Sequence, residues 1–285
     1  MQAFAYARPG TLTETFGLLE EHGTGASLLA GGTDLVVALR NRTLRPSLVV
    51  DLKGVAELKP AIAESGPSLT ISAGTVLTDL GDDPRIQAQF PALVEAAATV
   101  GSNQIRNRAT LTGNICHASP AADTAPALLV YGAAVNIASA GGTRRVALDE
   151  FFLGPGKTVI QLGEVVTSID VPMPTERCGA AFARITRRRG VDLATISLCC
   201  LVDASGTTRF AFGAVGPRPF LVIDQSGALA DPATGDADKD EILRRLLAQS
   251  SPISDVRGSS EYRSAMLLVM SRRALRASIA RLRAA

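Results

Sequence analysis

The 285-residue sequence has no tryptophan, two histidines and only 4% aromatic residues, so no side chain stands out as one that stacks on a planar ring. An excess of one charge is missing as well. Lys+Arg number 29 against 27 Asp+Glu, and a formal net charge of +2 is far from the electrostatic footprint of a nucleic-acid binder. The four cysteines, Cys116, Cys178, Cys199 and Cys200, make no C-x-x-C group, which removes the usual ligand spacing for zinc or an iron–sulfur cluster, and no metal is expected on this chain. The first thirty residues carry Arg8, Glu14, Glu20 and Glu21 and no long apolar run. Neither a signal peptide nor a membrane span is expected, and the cytoplasm is the default location.

What is present is a hydrophobic content of 46%, enough for a large core and, as a prior, for two domains. Adjacent Cys199 and Cys200 lie in the strand-like run ATISLCCLVD, where neighbours face opposite sides and each fits a small core hydrophobe. Arg184 with Arg187, Arg188 and Arg189 forms one basic cluster, and the tail Arg272, Arg273, Arg276, Arg281 and Arg283 reads as a solvated helix face and basic terminus.

Periodicity supplies the order of elements. TLTETFGLLEEHG begins with a Thr able to cap, spaces Leu12, Phe16 and Leu19 as a helix does, and ends on Gly23. A strand over 27–30, the Gly31-Gly32 turn, a helix over 34–41 and a strand over 47–52 make a compact βαβ unit. SLTISAGTVLTDL starts as a strand, and a helix is expected over 91–100 between Pro91 and Gly101. A hairpin at Gly141-Gly142 and the strand EVVTSIDVPMP close this region. Beyond a linker near 172–178, a three-stranded antiparallel meander turning at Ser205-Gly206 precedes two helical stretches, DKDEILRRLLAQS and SSEYRSAMLLVMSRRALRASIARLR.

Two glycine-containing turns are candidate ligand sites. Gly31, Gly32, Thr33 and Asp34 separate a strand from a helix, where unpaired amide N–H groups and residues without β-carbons form a place for an anion, though the same turn is also an efficient connection. The G-x-G-x-x-G pattern is absent here, so a dinucleotide would not bind by the Rossmann route. Thr110, Leu111, Thr112, Gly113 and Asn114 read as a second short turn of donors able to reach a diphosphate or ribityl hydroxyls. Asp123, a carboxylate amid Ala and Pro, must find donors either at the helix start that follows or on a ligand. His117 reads as a core residue rather than a catalyst.

The stretches LLAGGTDL (28–35), GSNQIRNRATLTGN (101–114) and ASPAADTAPALL (118–129) resemble the FAD-binding medium subunits of the molybdenum hydroxylase family, which includes carbon monoxide dehydrogenase and xanthine dehydrogenase flavoproteins. RITRRRGVDLAT, FAFGAVGPRP and SDVRGSSEYR extend the resemblance over nearly the whole chain. It implies an α+β architecture: an FAD-binding PCMH-type domain over 1–174, with a βαβ subdomain (about 1–55) and a mixed-sheet subdomain (56–174), then a C-terminal domain over 175–285 with a three-stranded antiparallel sheet and a helical bundle.

The resemblance also implies FAD as cofactor, with the diphosphate and neighbouring atoms held by Leu28, Leu29, Ala30, Gly31, Gly32, Thr33, Asp34 and Leu35 and by Thr110, Leu111, Thr112, Gly113 and Asn114. Asp123 matches a carboxylate that hydrogen-bonds the flavin nucleotide, Val166 an apolar position beside the cofactor, and Arg184 a position where relatives often have Lys. The sequence departs from the family at Thr112, where the G-G-N turn has glycine. A β-branched residue resists positive φ and crowds an approaching phosphate, or else its hydroxyl donates to the diphosphate.

The implied activity is electron relay from the clusters of a small [2Fe–2S] subunit, through FAD, to an external acceptor, in assembly with a large molybdopterin-binding subunit. No residue is needed as a general acid or base. The alternatives are a free-standing FAD-dependent reductase or oxidase of the same superfamily, and a flavin-free scaffold subunit.

Overall fold

The computed structural model describes residues 2–284. The chain opens with a three-stranded parallel sheet in which β3 (Leu48–Asp51) lies between β1 (Ala5–Ala7) and β2 (Ala26–Leu29). Between β1 and β2 runs α1 (Leu12–His22), started by the Thr11 hydroxyl accepting the Glu14 N–H at 3.1 Å and ended by Gly23 at φ 52°. The short α2 (Leu35–Arg40) joins β2 to β3 and completes the expected βαβ unit. Strand β1 had no signal in the sequence, because three residues are too few to show alternation.

The second sheet has the order β4-β5-β10-β6-β7, formed by β4 (Ile62–Ser65), β5 (Ser68–Ser72), β6 (Ala134–Ser139), β7 (Gly142–Ala147) and β10 (Val165–Pro172). Every pairing in it is antiparallel, where a mixed sheet was expected. A small ribbon, β8 (Phe152–Gly154) with β9 (Lys157–Thr158), precedes β10. Between β5 and β6 come α3 (Leu77–Asp82), α4 (Pro84–Gln89), α5 (Pro91–Ala98), α6 (Asn103–Arg106), α7 (Leu111–Cys116) and α8 (Thr124–Val130), and α9 (Leu148–Phe151) follows β7. Leu69 and Ile71, Val135 and Ile137, and Ile169 and Val171 repeat at the two-residue period of a strand, so all six reach one core with Leu93, Leu111 and Leu128 from the helices.

The C-terminal sheet has four strands, β11 (Cys178–Ile185), β12 (Ile196–Asp203), β13 (Thr208–Gly213) and β14 (Phe220–Asp224), one more than expected. The fourth is the five-residue Phe220–Asp224 run, directly after the Gly-Pro-rich bend over 216–219. Instead of a bundle, two helices, α10 (Asp236–Leu247) and the 25-residue α11 (Ser260–Ala284), form a layer against the sheet.

Strand β12 is buried on both faces: Cys199 and Leu201 join the core of the second sheet, while Leu198, Cys200 and Val202 join a separate core under α11. The two cysteines thus face opposite sides, as the alternation required. Helices α5 and α8 on one side and α11 on the other sandwich this sheet. The tail arginines do more than meet solvent, since Arg272 pairs with Asp240, Arg276 with Asp236 and Arg281 with Glu95. Among the described residues no helix is long and apolar enough to cross a membrane.

Candidate functional site

β2 carries Leu28 and Leu29 to the carboxyl end of the parallel sheet, and the chain then leaves it through Ala30, Gly31, Gly32, Thr33 and Asp34 before Leu35 opens α2. Glycine at 31 is a packing requirement: a β-carbon there would lie 1.9 Å from the Arg108 carbonyl oxygen and 3.0 Å from the Ala109 Cα. Gly32 has φ +81°, a backbone conformation that side chains resist. The main-chain N–H groups of Gly31, Gly32, Thr33 and Asp34 meet no acceptor among the described residues. Asp34 is exposed, and its side chain does not cap α2.

The segment pressed against Gly31 leads directly into the second candidate wall. Ala109 O accepts from Leu77 N–H at 2.9 Å and Leu111 N–H donates to Thr75 O at 3.3 Å, which fixes the entry. Residues 110–114, expected as a turn, are instead the start of α7: the Thr110 hydroxyl accepts from Gly113 N–H at 2.9 Å and caps the helix. The small, capping residues that suggested a turn are what a helix N-terminus uses. Thr112 therefore sits in a helical first turn with no positive φ to resist, and that half of the expectation falls away. Its hydroxyl is buried and has no partner among the described residues. Leu111 turns wholly into the core, whereas Asn114 Oδ1 accepts from the Thr124 hydroxyl at 2.6 Å, tying α7 to α8.

Asp123 occupies the cap position of α8 without capping it. One carboxylate oxygen receives the Arg184 guanidinium at 2.5 Å, and the other is buried without a partner. Burial pushes the Asp123 carboxyl up to about 6, a larger effect than the opposing pull of Arg184. Arg184 leaves the edge strand β11 and also donates to Thr99 O at 3.1 Å at the end of α5. Beside it an open cleft of about 490 Å³ is lined by Thr99, Gly101, Asn103, Arg106, Gly190 and Val191 among others. Val166 lies in β10, next to a bulge, in the same core as Leu111 and Ile115. His117, expected in the core, is exposed at the end of α7, since its place after the last helical residue points it outward.

Three further residues at this site, Asp51, Tyr6 and Lys53, carry no motif in the sequence. Asp51, opposite Leu29 in the β2–β3 pairing, accepts the Tyr6 hydroxyl at 2.6 Å and the Lys53 ammonium at 2.5 Å, and Lys53 reaches Ala30 O at 3.2 Å. The available signal was positional: the strands are parallel, so the residues just after β3 adjoin the glycine turn just after β2.

Residues 2–174 match the family model described as FAD binding domain in molybdopterin dehydrogenase, and residues 181–278 match that of the CO dehydrogenase flavoprotein C-terminal domain. The chain belongs to this flavoprotein family. It is 33% identical to the carbon monoxide dehydrogenase medium chain of Hydrogenophaga pseudoflava over 282 residues, covering 98% of each protein. The xanthine dehydrogenase FAD-binding subunit of Escherichia coli O157:H7 is 32% identical, with 97% of this chain and 96% of that subunit covered. The solved carbon monoxide dehydrogenase structure from H. pseudoflava superimposes with a TM-score of 0.90 at 32% identity, covering 98% of both chains. The chain is thus an FAD-binding subunit of the molybdenum hydroxylase family, akin to dehydrogenase subunits, and an oxidoreductase component.

The residues present suit such a cofactor. A phosphorylated, polyhydroxylated ligand needs N–H donors without acceptors and buried oxygens without partners, and the Gly31–Asp34 amides, Thr112 Oγ1 and Asp123 Oδ1 supply both.

Proposed function

We propose that the chain is an electron relay, accepting electrons from a small [2Fe–2S] subunit and passing them to an external acceptor, in a complex with a large molybdopterin-binding subunit. FAD, when bound, supplies the chemistry of taking up single electrons and releasing one or two. The cofactor half of this reading is supported by the main-chain amides of Gly31, Gly32, Thr33 and Asp34, which meet no acceptor among the described residues, with Gly31 packed against Arg108 and Ala109.

In this reading Leu28, Leu29, Ala30 and Leu35 shape the first wall and Gly31 to Asp34 offer their amides to the diphosphate. Thr110, Leu111, Thr112, Gly113 and Asn114 form the second wall, with the Thr112 hydroxyl as a donor. Asp123 receives a hydroxyl or N–H of the nucleotide on its unpartnered oxygen, Arg184 holds that carboxylate in place, and Val166 excludes water beside them. The chain divides functionally into residues 1–174, which hold FAD, and 175–285, which deliver Arg184. None of these residues has to move a proton, so placement is their whole task.

Reconstitution of the purified chain with FAD tests the proposal. Bound flavin absorbing in the blue, together with co-purification of an iron–sulfur protein from the native host, is the expected result. A chain that takes up no flavin overturns the cofactor assignment. A chain that takes up flavin and reduces a small substrate without any partner overturns the relay.

A further inference from the structure

The Lys53 ammonium is held at two points at the end of the parallel sheet. It lies 2.5 Å from Asp51 Oδ1 and 3.2 Å from Ala30 O, and Asp51 is itself 3% exposed and receives the Tyr6 hydroxyl at 2.6 Å on its other oxygen. The short 3-10 turn Leu52–Gly54 adds the Lys53 main-chain N–H to Asp51 Oδ1 at 3.0 Å, which sets the side chain's starting direction. Burial raises the Asp51 carboxyl and the Lys53 and Tyr6 hydrogen bonds more than offset it, so Asp51 is held below its ordinary range and stays ionised.

A lysine pinned this way has its charge largely matched by Asp51, which makes it a poor source of attraction for a distant anion. What it does control is the peptide between Ala30 and Gly31. No peptide bond in the described residues is cis, and in a trans peptide the C=O and the following N–H point to opposite sides of a rigid plane. Gly31 has no side chain to resist rotation of that plane, and its other flank is already pressed on Arg108 O.

We propose that Lys53 is a positioning residue which, oriented by Asp51 and Tyr6, holds the Ala30 carbonyl and so aims the Gly31 N–H away from the sheet and toward the cofactor diphosphate. The inference rests on the assignment of the Gly31–Asp34 amides to that diphosphate.

Titration of the full-length chain with FAD and with riboflavin, followed by flavin fluorescence, tests it. Riboflavin shares the ring and ribityl chain but has no phosphate. Lys53→Met should weaken FAD binding about tenfold, the scale of one charge-assisted hydrogen bond, and leave riboflavin binding unchanged. The dependence of FAD affinity on salt concentration should keep its slope in Lys53→Met, because a positioning lysine is not itself a phosphate contact. Lys53→Arg should restore most of the loss, and Tyr6→Phe should reproduce a smaller loss in the same direction without removing any charge. Unchanged FAD affinity in Lys53→Met, equal loss for both ligands, or a salt slope that falls would each overturn the inference. A wild-type chain that binds neither ligand would instead overturn the cofactor assignment beneath it.

Discussion

Asp123 and Arg184 meet at 2.5 Å across 61 residues of chain, one at the start of α8 and the other on the edge strand β11, so the pair bolts the C-terminal sheet onto the first part of the molecule. Burial still dominates the carboxyl, raising it from 3.8 to about 6. A group whose folded value exceeds its unfolded value binds a proton more readily in the native state, and the stability it adds is lost as pH rises through that interval. Unfolding of the flavin-free chain by urea should therefore show stability falling between pH 3.8 and about 6, by ~3 kcal/mol from this group. In Asp123→Asn this component should vanish, leaving a flatter profile. An unaltered slope would show that the carboxyl is not the titrating group.

The buried, unpartnered Thr112 hydroxyl predicts opposite effects on stability and on binding. Thr112→Val keeps the shape and removes an unsatisfied polar atom, so the flavin-free chain should gain ~1 kcal/mol. FAD should bind about fivefold more weakly, because a donor to the ligand is gone. Thermal melting and fluorescence titration of the same preparation read both signs.

Gly31 and Gly32 are adjacent but should fail differently. A β-carbon at 31 falls 1.9 Å from a main-chain oxygen, so Gly31→Ala has to move the turn or residue 108, at a cost of ~3 kcal/mol in urea unfolding and with loss of FAD binding. At Gly32 the obstacles are φ +81° and the Leu29 Cδ1 at 2.8 Å, a flexible tip that can give. Gly32→Ala should cost only ~1 kcal/mol.

Local signals made much of this legible. Thr11, the apolar spacing of α1 and Gly23 mark a helix with both ends, and the glycine turn before α2 marks a strand-to-helix junction, because caps and turns act over a few residues. Residues 110–114 misled because capping and turn formation draw on the same small polar residues, and only the bonds to Thr75 and Leu77, far back in the chain, decide which applies. Strand β4, exposed at Ala63, Glu64 and Ser65 and with Ile62 as its one large apolar residue, lacks the apolar alternation that revealed β5. The Asp123–Arg184 and Lys53–Ala30 contacts are tertiary, so no periodicity within either segment could announce them.

Arg263 offers a last test, remote from the candidate site. It is fully buried at the start of α11, donating to Ala214 O at 2.8 Å and to Asp255 Oδ1 at 2.6 Å, while Arg257 holds the other oxygen of Asp255. Hydrogen bonds from Arg257 first, and from Arg263, keep the Asp255 carboxyl well below the usual carboxylate range despite some burial. A depressed folded value means that the stability the group adds is present above pH 3.8 and is lost progressively as pH falls below it, while the folded carboxylate itself keeps both arginines well into acid. Asp255→Asn leaves the buried guanidinium without its counter-charge and should cost ~3 kcal/mol at neutral pH. Adding Arg263→Met to that variant removes the stranded charge and should recover part of the loss. If the double variant is instead less stable than Asp255→Asn alone, the hydrogen bond to Ala214 outweighs the ion pair as the reason for an arginine at this position.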